Sequence, residues 1–452
     1  MIVRVRHEAA VLAIAVLVGA LLRLSGLSAH GLGADESVQA WRAAVAANEG
    51  AVVAQGVTSA FLVSLQAVLF SLAGATTFLA RLPAALCGIA LLLAPLTVKD
   101  ALGPLRTAAL VALLALDPTL IQVARDASGA SASLLAAALA VAGLVRWSHE
   151  GRSDAGRARA GAVLASASLG LLLTTGADAW TLLPLIGLAA AALRPWRHGA
   201  ARARDCAWAF GATFVLAATA GLWAPAWASG TSASLTVWLE RWTHPAGLEG
   251  PLRSLAGAPL TLLFALAAVG YGAKAAPRRA GVLVAGIAWT AAVALCSPGP
   301  PAALALLLVV AASEGVRLLA ERGQRLALVV AALAGLVQTT LAARPLMQDA
   351  TVPTRPGLEV LASDLEGIAV LRRRDVTELP VLVLGERDDP AVRWALRRGR
   401  KVRDAPYRPA EVDGAGPALV APSNTSAATP PGYVGATYET SRGTVDLWVP
   451  LD

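Results

Sequence analysis

The sequence predicts a mainly α, polytopic membrane helical bundle with a small α/β domain at its C-terminal end. Three observations carry that prediction. The 452-residue chain is 56% hydrophobic and only 15% charged, whereas a soluble domain carries about a quarter charged residues. Its mean hydropathy is +0.61. Apolar runs recur along the first three quarters of the chain, each long enough to cross ~30 Å of hydrocarbon.

About eleven spans follow, at residues 9–27, 82–98, 107–123, 130–146, 160–176, 179–194, 207–225, 256–272, 280–296, 300–317 and 325–343. The first, within "MIVRVRHEAAVLAIAVLVGALLRL", has a basic start and lacks a convincing cleavage site, so it reads as an uncleaved span. A further apolar stretch at 59–74, "SAFLVSLQAVLFSLAG", is shorter and carries Ser59, Ser64, Gln66 and Ser71. Charge decides its role. If it does not cross, the basic loops "KDALGPLR", "RWSHEGRSDAGRARA", "RPWRHGAARARD", "GAKAAPRRA" and "RLLAERGQR" all fall inside with the N-terminus, as the positive-inside rule requires. If it crosses, all five move outside. It therefore reads as an interfacial or re-entrant helix. The net charge of +8 is explained by these loops and gives no signal for nucleic acid.

This parity places the N-terminus in the cytoplasm and makes 28–81, the turns near 125–129 and 176–178, the loop 226–255 and "CSPGPP" extracytoplasmic. Residues 1–346 form the membrane domain, and 347–452 form an extracytoplasmic α/β domain. There "LPVLVLGE", helix-like "DPAVRWALRRG", "PALVAPS", "GYVGATYET" and "TVDLWVP" alternate with Pro/Gly/Asp turns. Cys87, Cys206 and Cys296 are far apart and suggest neither a zinc site nor a disulfide framework. No Walker loop, HExxH, nucleophile elbow or dinucleotide fingerprint occurs, and no metal or cofactor is expected.

Candidate chemistry gathers in the outer loops. "HGLGADESVQAW" places Asp35 and Glu36 just beyond the first span, with Val38, Trp41 and Val45 at helical spacing and Asp35 at the N-cap position. Asp35 is then either a helix cap or a carboxylate at the headgroup level able to act as a general base, and the two roles are compatible. His30 opens the same stretch as a possible supporting group. Arg125 and Asp126 stand at the outer end of the third span, as a structural pair or as part of a phosphate-handling site. The 226–255 loop carries Trp238 and Trp242, which fit an interfacial aromatic belt. It also carries Arg241, His244 and Arg253, where guanidinium groups suit phosphate oxygens. "RDDPAVRWALRRGRKVR", with Trp394 among its cations, reads as a solvated helix face. The sequon at Asn424 is too common to weigh.

The order of these features resembles the PMT-like membrane glycosyltransferases of family 39: protein O-mannosyltransferases, the aminoarabinose transferase of lipid A and their relatives of GT-C fold. The residues that carry the likeness are "LLRLSGL" followed by "DE", "LFSLAGATTFLARLPAALCGIALLL" with "RLPAALCG" at 81–88, and "DPTLIQVARDAS". "THPAGLEGPL" and "DDPAVRWALRRGRKV" are similar to a flippase-associated subgroup.

The resemblance implies a hexosyl- or mannosyl-type transferase in the cell membrane that uses a polyprenyl-phosphate sugar. Its acceptor would be a glycan, lipid or protein at the outer face. Asp35 would be the catalytic base with Glu36 in support, and Arg125, Arg241 and Arg253 would hold the donor phosphate. Asp126, His244 and His30 would serve the acceptor or support the site. The family's His-Pro-Pro-Leu lead-in to the interfacial helix is here "QGVTSAFL", and Ala130 stands where a second acid is expected. These departures favour an alternative: a non-catalytic relative that binds lipid-linked sugars or assists a flippase. A transporter is the third possibility, although no charge lies convincingly mid-span.

Overall fold

The computed structural model describes residues 2–29, 31–49, 57–150, 154–195, 202–243, 252, 258–275, 277–297 and 301–321 of the bundle, and 357–371, 381–384, 390–397, 402–405, 418–422, 433–440 and 443–450 of the C-terminal part. The chain opens with α1 (Ile2–Leu24), α2 (Ala34–Glu49), α3 (Ala60–Ala73) and α4 (Thr77–Leu93). A 3₁₀ segment (Ala94–Val98) and the short α5 (Lys99–Leu102) extend α4. Next come α6 (Pro104–Leu116), α7 (Pro118–Arg125), α8 (Ala130–Glu150), α9 (Ala155–Leu172), α10 (Asp178–Leu193) and α11 (Ala203–Ala218). The bundle ends with α12 (Gly230–Arg241), α13 (Pro259–Ala275), α14 (Pro277–Cys296) and α15 (Ala302–Glu321).

Among the described residues, three stretches, Thr77–Leu102, Ala130–Glu150 and Ala302–Glu321, are long and apolar enough to cross a membrane, and the bent pair α6–α7, taken as one span, makes a fourth. Leu12–Leu24, Asp178–Leu193, Pro259–Ala273 and Ala280–Cys296 are apolar but shorter. The expected span at 325–343 lies outside the described residues. With 14 residues, α3 is ~21 Å long and too short to cross alone. Ser59 caps its start by accepting from Leu62 N–H, and Gly74 ends it at φ +80°. Its Val63, Ala67 and Phe70 pack on Ala40, Ala43 and Ala44 of α2.

Two expected spans are not continuous: within 207–225 the helix α11 ends at Ala218, and 107–123 is broken. In the second, the apolar run breaks at Asp117, and α7 leaves α6 at 58°. Pro118 has no N–H to continue the helix, and Asp117 starts a new one by accepting from Leu120 N–H at 3.1 Å. A capping aspartate before a proline is a helix-start signal, and here it overrides apolar continuity.

The C-terminal part comprises α16 (Gly357–Leu371), β1 (Val381–Leu384), α17 (Pro390–Ala395), β2 (Val402–Ala405), β3 (Ala418–Pro422), β4 (Tyr433–Thr440) and β5 (Gly443–Pro450). The strands form one sheet in the order β2-β1-β3-β5-β4. β1 pairs in parallel with β2 and β3, and β5 pairs antiparallel with β3 and β4. Leu361 and Leu365 of α16 and Val392 of α17 cover Val381, Val420 and Leu447.

The solvated face expected around Trp394 is not solvated at that residue. Trp394 is only 5% exposed and enters the α2–α3 core, its ring 5.8 Å from that of Phe70. Arg397 stacks over the Trp394 ring at 4.3 Å and donates to the Ala75 carbonyl at 2.9 Å. Burial of a large aromatic outweighs the cation-rich composition around it. The C-terminal domain is thereby keyed to the same helices that carry Asp35 and Glu36.

Candidate active site around Glu36, Arg81 and Asp126

The first turn of α2 is built differently from the sequence expectation. Ser37 N–H donates to the Gly33 carbonyl at 2.9 Å, so Gly33 is the N-cap and Asp35 lies inside the first turn. Glu36, three residues after the cap, reaches back to accept from Gly33 N–H at 2.7 Å. This is the glutamate half of a capping box. Glycine fills the cap with no side chain of its own, which a search for Ser, Thr, Asp or Asn passes over.

Glu36 is also the centre of the site. Arg81 of α4 grips its carboxylate through two bonds, Nε–Oε1 at 3.1 Å and Nη2–Oε2 at 2.8 Å. The Ala127 N–H, at the turn after α7, donates to Glu36 Oε1. Arg81 further donates to the Leu27 carbonyl at 3.0 Å and the Gly31 carbonyl at 2.9 Å. Both side chains are largely shielded, at 9% and 13% exposure. One ion pair therefore ties together the end of α1, the start of α2, the first turns of α4 and the α7–α8 turn. A charged pair this buried and this fully bonded fixes geometry.

Arg81 was not among the expected site residues. The signal for it was present: an arginine at the start of the apolar run "RLPAALCGIALLL" requires a partner.

Two further acids flank this pair. Asp35 is exposed, accepts no hydrogen bond and joins no ion pair among the described residues. Asp126 is half-buried just past the end of α7. Burial, with the negative charge of Glu36, pushes its carboxyl up to about 7, against the pull of Arg81 and Arg125. A carboxyl poised near neutral pH can carry a proton in either direction. Asp126 thus does meet the Glu36–Arg81 pair, and Arg125 acts on the Asp126 carboxyl.

The other expected residues divide. Arg241 at the end of α12 is paired with Asp178 of α10 at 2.9 Å and sits in an aromatic corner. There Trp238 donates to Thr181 Oγ1 at 3.0 Å, and Trp242 lies 6.0 Å from Trp289. His30, His244 and Arg253 lie outside the described residues. Among the described residues, no three His, Cys, Asp or Glu side chains converge as metal ligands would.

Neither a protein-family model nor a curated protein matches this chain. Solved structures do. ArnT from Cupriavidus metallidurans bound to undecaprenyl phosphate aligns over 97% of both chains, with TM-score 0.61 and 17% identity. Its apo state aligns over 99% of this chain and 98% of that one, with TM-score 0.63 and 15% identity. The Archaeoglobus fulgidus oligosaccharyltransferase AglB, in complex with an inhibitory peptide and a dolichol-phosphate, aligns over 97% of this chain and 74% of that one. Its TM-score is 0.56 at 13% identity. The likeness establishes the fold: a GT-C membrane bundle with a small C-terminal domain.

Proposed function

We propose that this chain is a membrane glycosyltransferase that moves a sugar from a polyprenyl-phosphate donor to an acceptor at the outer face of the cell membrane. The observation that carries the reading is the division of labour among the acids. Glu36 is fully engaged in holding four segments together, while Asp35 beside it has no described partner. That leaves Asp35 free to take a proton. In this reading the acceptor hydroxyl gives its proton to the Asp35 carboxylate as its oxygen bonds to the anomeric carbon. The bond from that carbon to the donor phosphate oxygen breaks, and polyprenyl phosphate leaves with the electron pair. Arg125 and Arg253 are proposed to hold the departing phosphate.

The two solved structures that hold undecaprenyl phosphate and dolichol-phosphate support the donor class. The contact of the C-terminal domain with α2 and α3 supports an arrangement in which both lie on one side of the membrane, with the N-terminus cytoplasmic. A second base is favoured by one observation: Asp126, at about 7, is the acid best matched to neutral pH. The binding-only alternative draws support from Arg241, which is already paired with Asp178.

Purified protein in nanodiscs, given a radiolabelled undecaprenyl-phosphate sugar and a lipid acceptor fraction, tests these readings together. Transfer that is lost in Asp35→Asn supports the assignment of the base. Transfer that survives in Asp35→Asn but is lost in Asp126→Asn moves the base to Asp126. Donor binding without turnover selects the binding-only reading.

A further inference from the structure

Arg23 of α1 is 0% exposed, a costly place for a cation. Its guanidinium donates to three backbone carbonyls: Gly19 at 2.9 Å, Leu114 at 2.7 Å and Ala115 at 3.4 Å. The Leu114 contact is the informative one. In an unbroken helix that carbonyl accepts from the N–H four residues on, which is position 118, and Pro118 has none. Arg23 supplies the missing donor from a different helix.

Asp117, itself 1% exposed, lies close enough to attract the guanidinium while its carboxylate caps α7. Space around the group is tight. A Cβ added at Gly88 of α4 would stand 3.2 Å from Cδ and Nε of Arg23 and 2.5 Å from the Cβ of Ala124 in α7. So α1, α4 and α7 close around the guanidinium, and α7 ends at Arg125, next to Asp126.

An unbroken apolar helix would satisfy the same carbonyls without burying a charge. What the Arg23, Asp117 and Pro118 arrangement adds is direction. We infer that Arg23 is a positioning residue: it replaces the hydrogen bond that Pro118 deletes and, with Asp117, fixes the bend that brings Asp126 and the Ala127 N–H against Glu36 and Arg81. Its kinetic consequence rests on the transferase reading, whereas its geometric consequence does not.

The test uses nitroxide labels on the exposed Gln122 and Asn48, on α7 and α2, in full-length protein with Cys87, Cys206 and Cys296 replaced. The variants are Arg23→Met and Arg23→Met/Pro118→Ala, the second returning an N–H to the Leu114 carbonyl. An eight-residue α7 is ~12 Å long, so undoing a 58° bend would move its tip by roughly that much, and Gln122 by about half.

The double variant should fold, melting below wild type because the buried Asp117 loses its cation. Its label distance should shift by several ångströms, and its sugar transfer should fall about a hundredfold with little change in the KM for donor. Recovery of both distance and transfer along with stability would overturn the inference and leave Arg23 a packing residue. If wild-type protein shows no transfer, the distance measurement still decides the role of Arg23, and it is the transferase reading that fails.

Discussion

The Glu36–Arg81 pair offers the sharpest energetic prediction. Replacing Arg81 with Met keeps length and apolar bulk but leaves the Glu36 carboxylate shielded without its cation. It also strips donors from the carbonyls of Leu27 and Gly31. Removing one partner of a buried pair costs ~3–5 kcal/mol. Glu36→Gln keeps the shape and one acceptor oxygen, but places an amide where Gly33, Ala127 and Arg81 all donate. A loss of ~2–4 kcal/mol follows from the stranded guanidinium.

The double variant strands neither charge, so it should cost less than the two singles together, with a coupling of about 2 kcal/mol or more. Reversible unfolding in mixed detergent–SDS micelles, run on the wild type and the three variants, measures that coupling. Additivity within ~0.5 kcal/mol would refute the reasoning, because it would mean that the two groups do not sense each other.

Asp126 gives a prediction with a definite sign. Its folded value of about 7 lies above the ordinary 3.8, so between about pH 4 and 7 the folded protein binds more protons than the unfolded one. Stability should therefore fall as pH rises through that window, and Asp126→Asn should flatten the dependence; an unchanged slope in the variant counts against the burial argument. Trp394→Ala should cost ~3–5 kcal/mol of packing, felt first at the contact between the C-terminal domain and α2–α3. Hydrogen exchange should then rise in α2 and α3, and unchanged protection there would show that the ring is not an anchor.

Much of the architecture could be read from local pattern, and the failures have particular causes. Strands β1, β3, β4 and β5 coincide with runs such as "VLVL" and "ALVAP" whose composition suits a sheet. β2, "VRDA", carries two charges in four residues and is a strand because it pairs with β1. No local signal announces that. The break at Asp117 was written in "LDPTL" but masked by the hydrophobicity on either side. The cap at Gly33 escaped because glycine marks a helix start weakly, and Trp394 because its neighbours are cations. In the site, the acids were legible as a pair and their roles were not. Glu36 and Arg81 are 45 residues apart, and only the folded bundle shows that Glu36 is fully bonded while Asp35 is exposed.

The most direct test of the transferase account is single-turnover transfer from a radiolabelled undecaprenyl-phosphate sugar in nanodiscs, comparing wild type with Asp35→Asn at equal donor occupancy. The account predicts labelled acceptor with wild type, and at least a hundredfold less with the variant, in line with the loss of a general base. Equal donor binding with no labelled product from wild-type protein at any pH from 5 to 9 would contradict it.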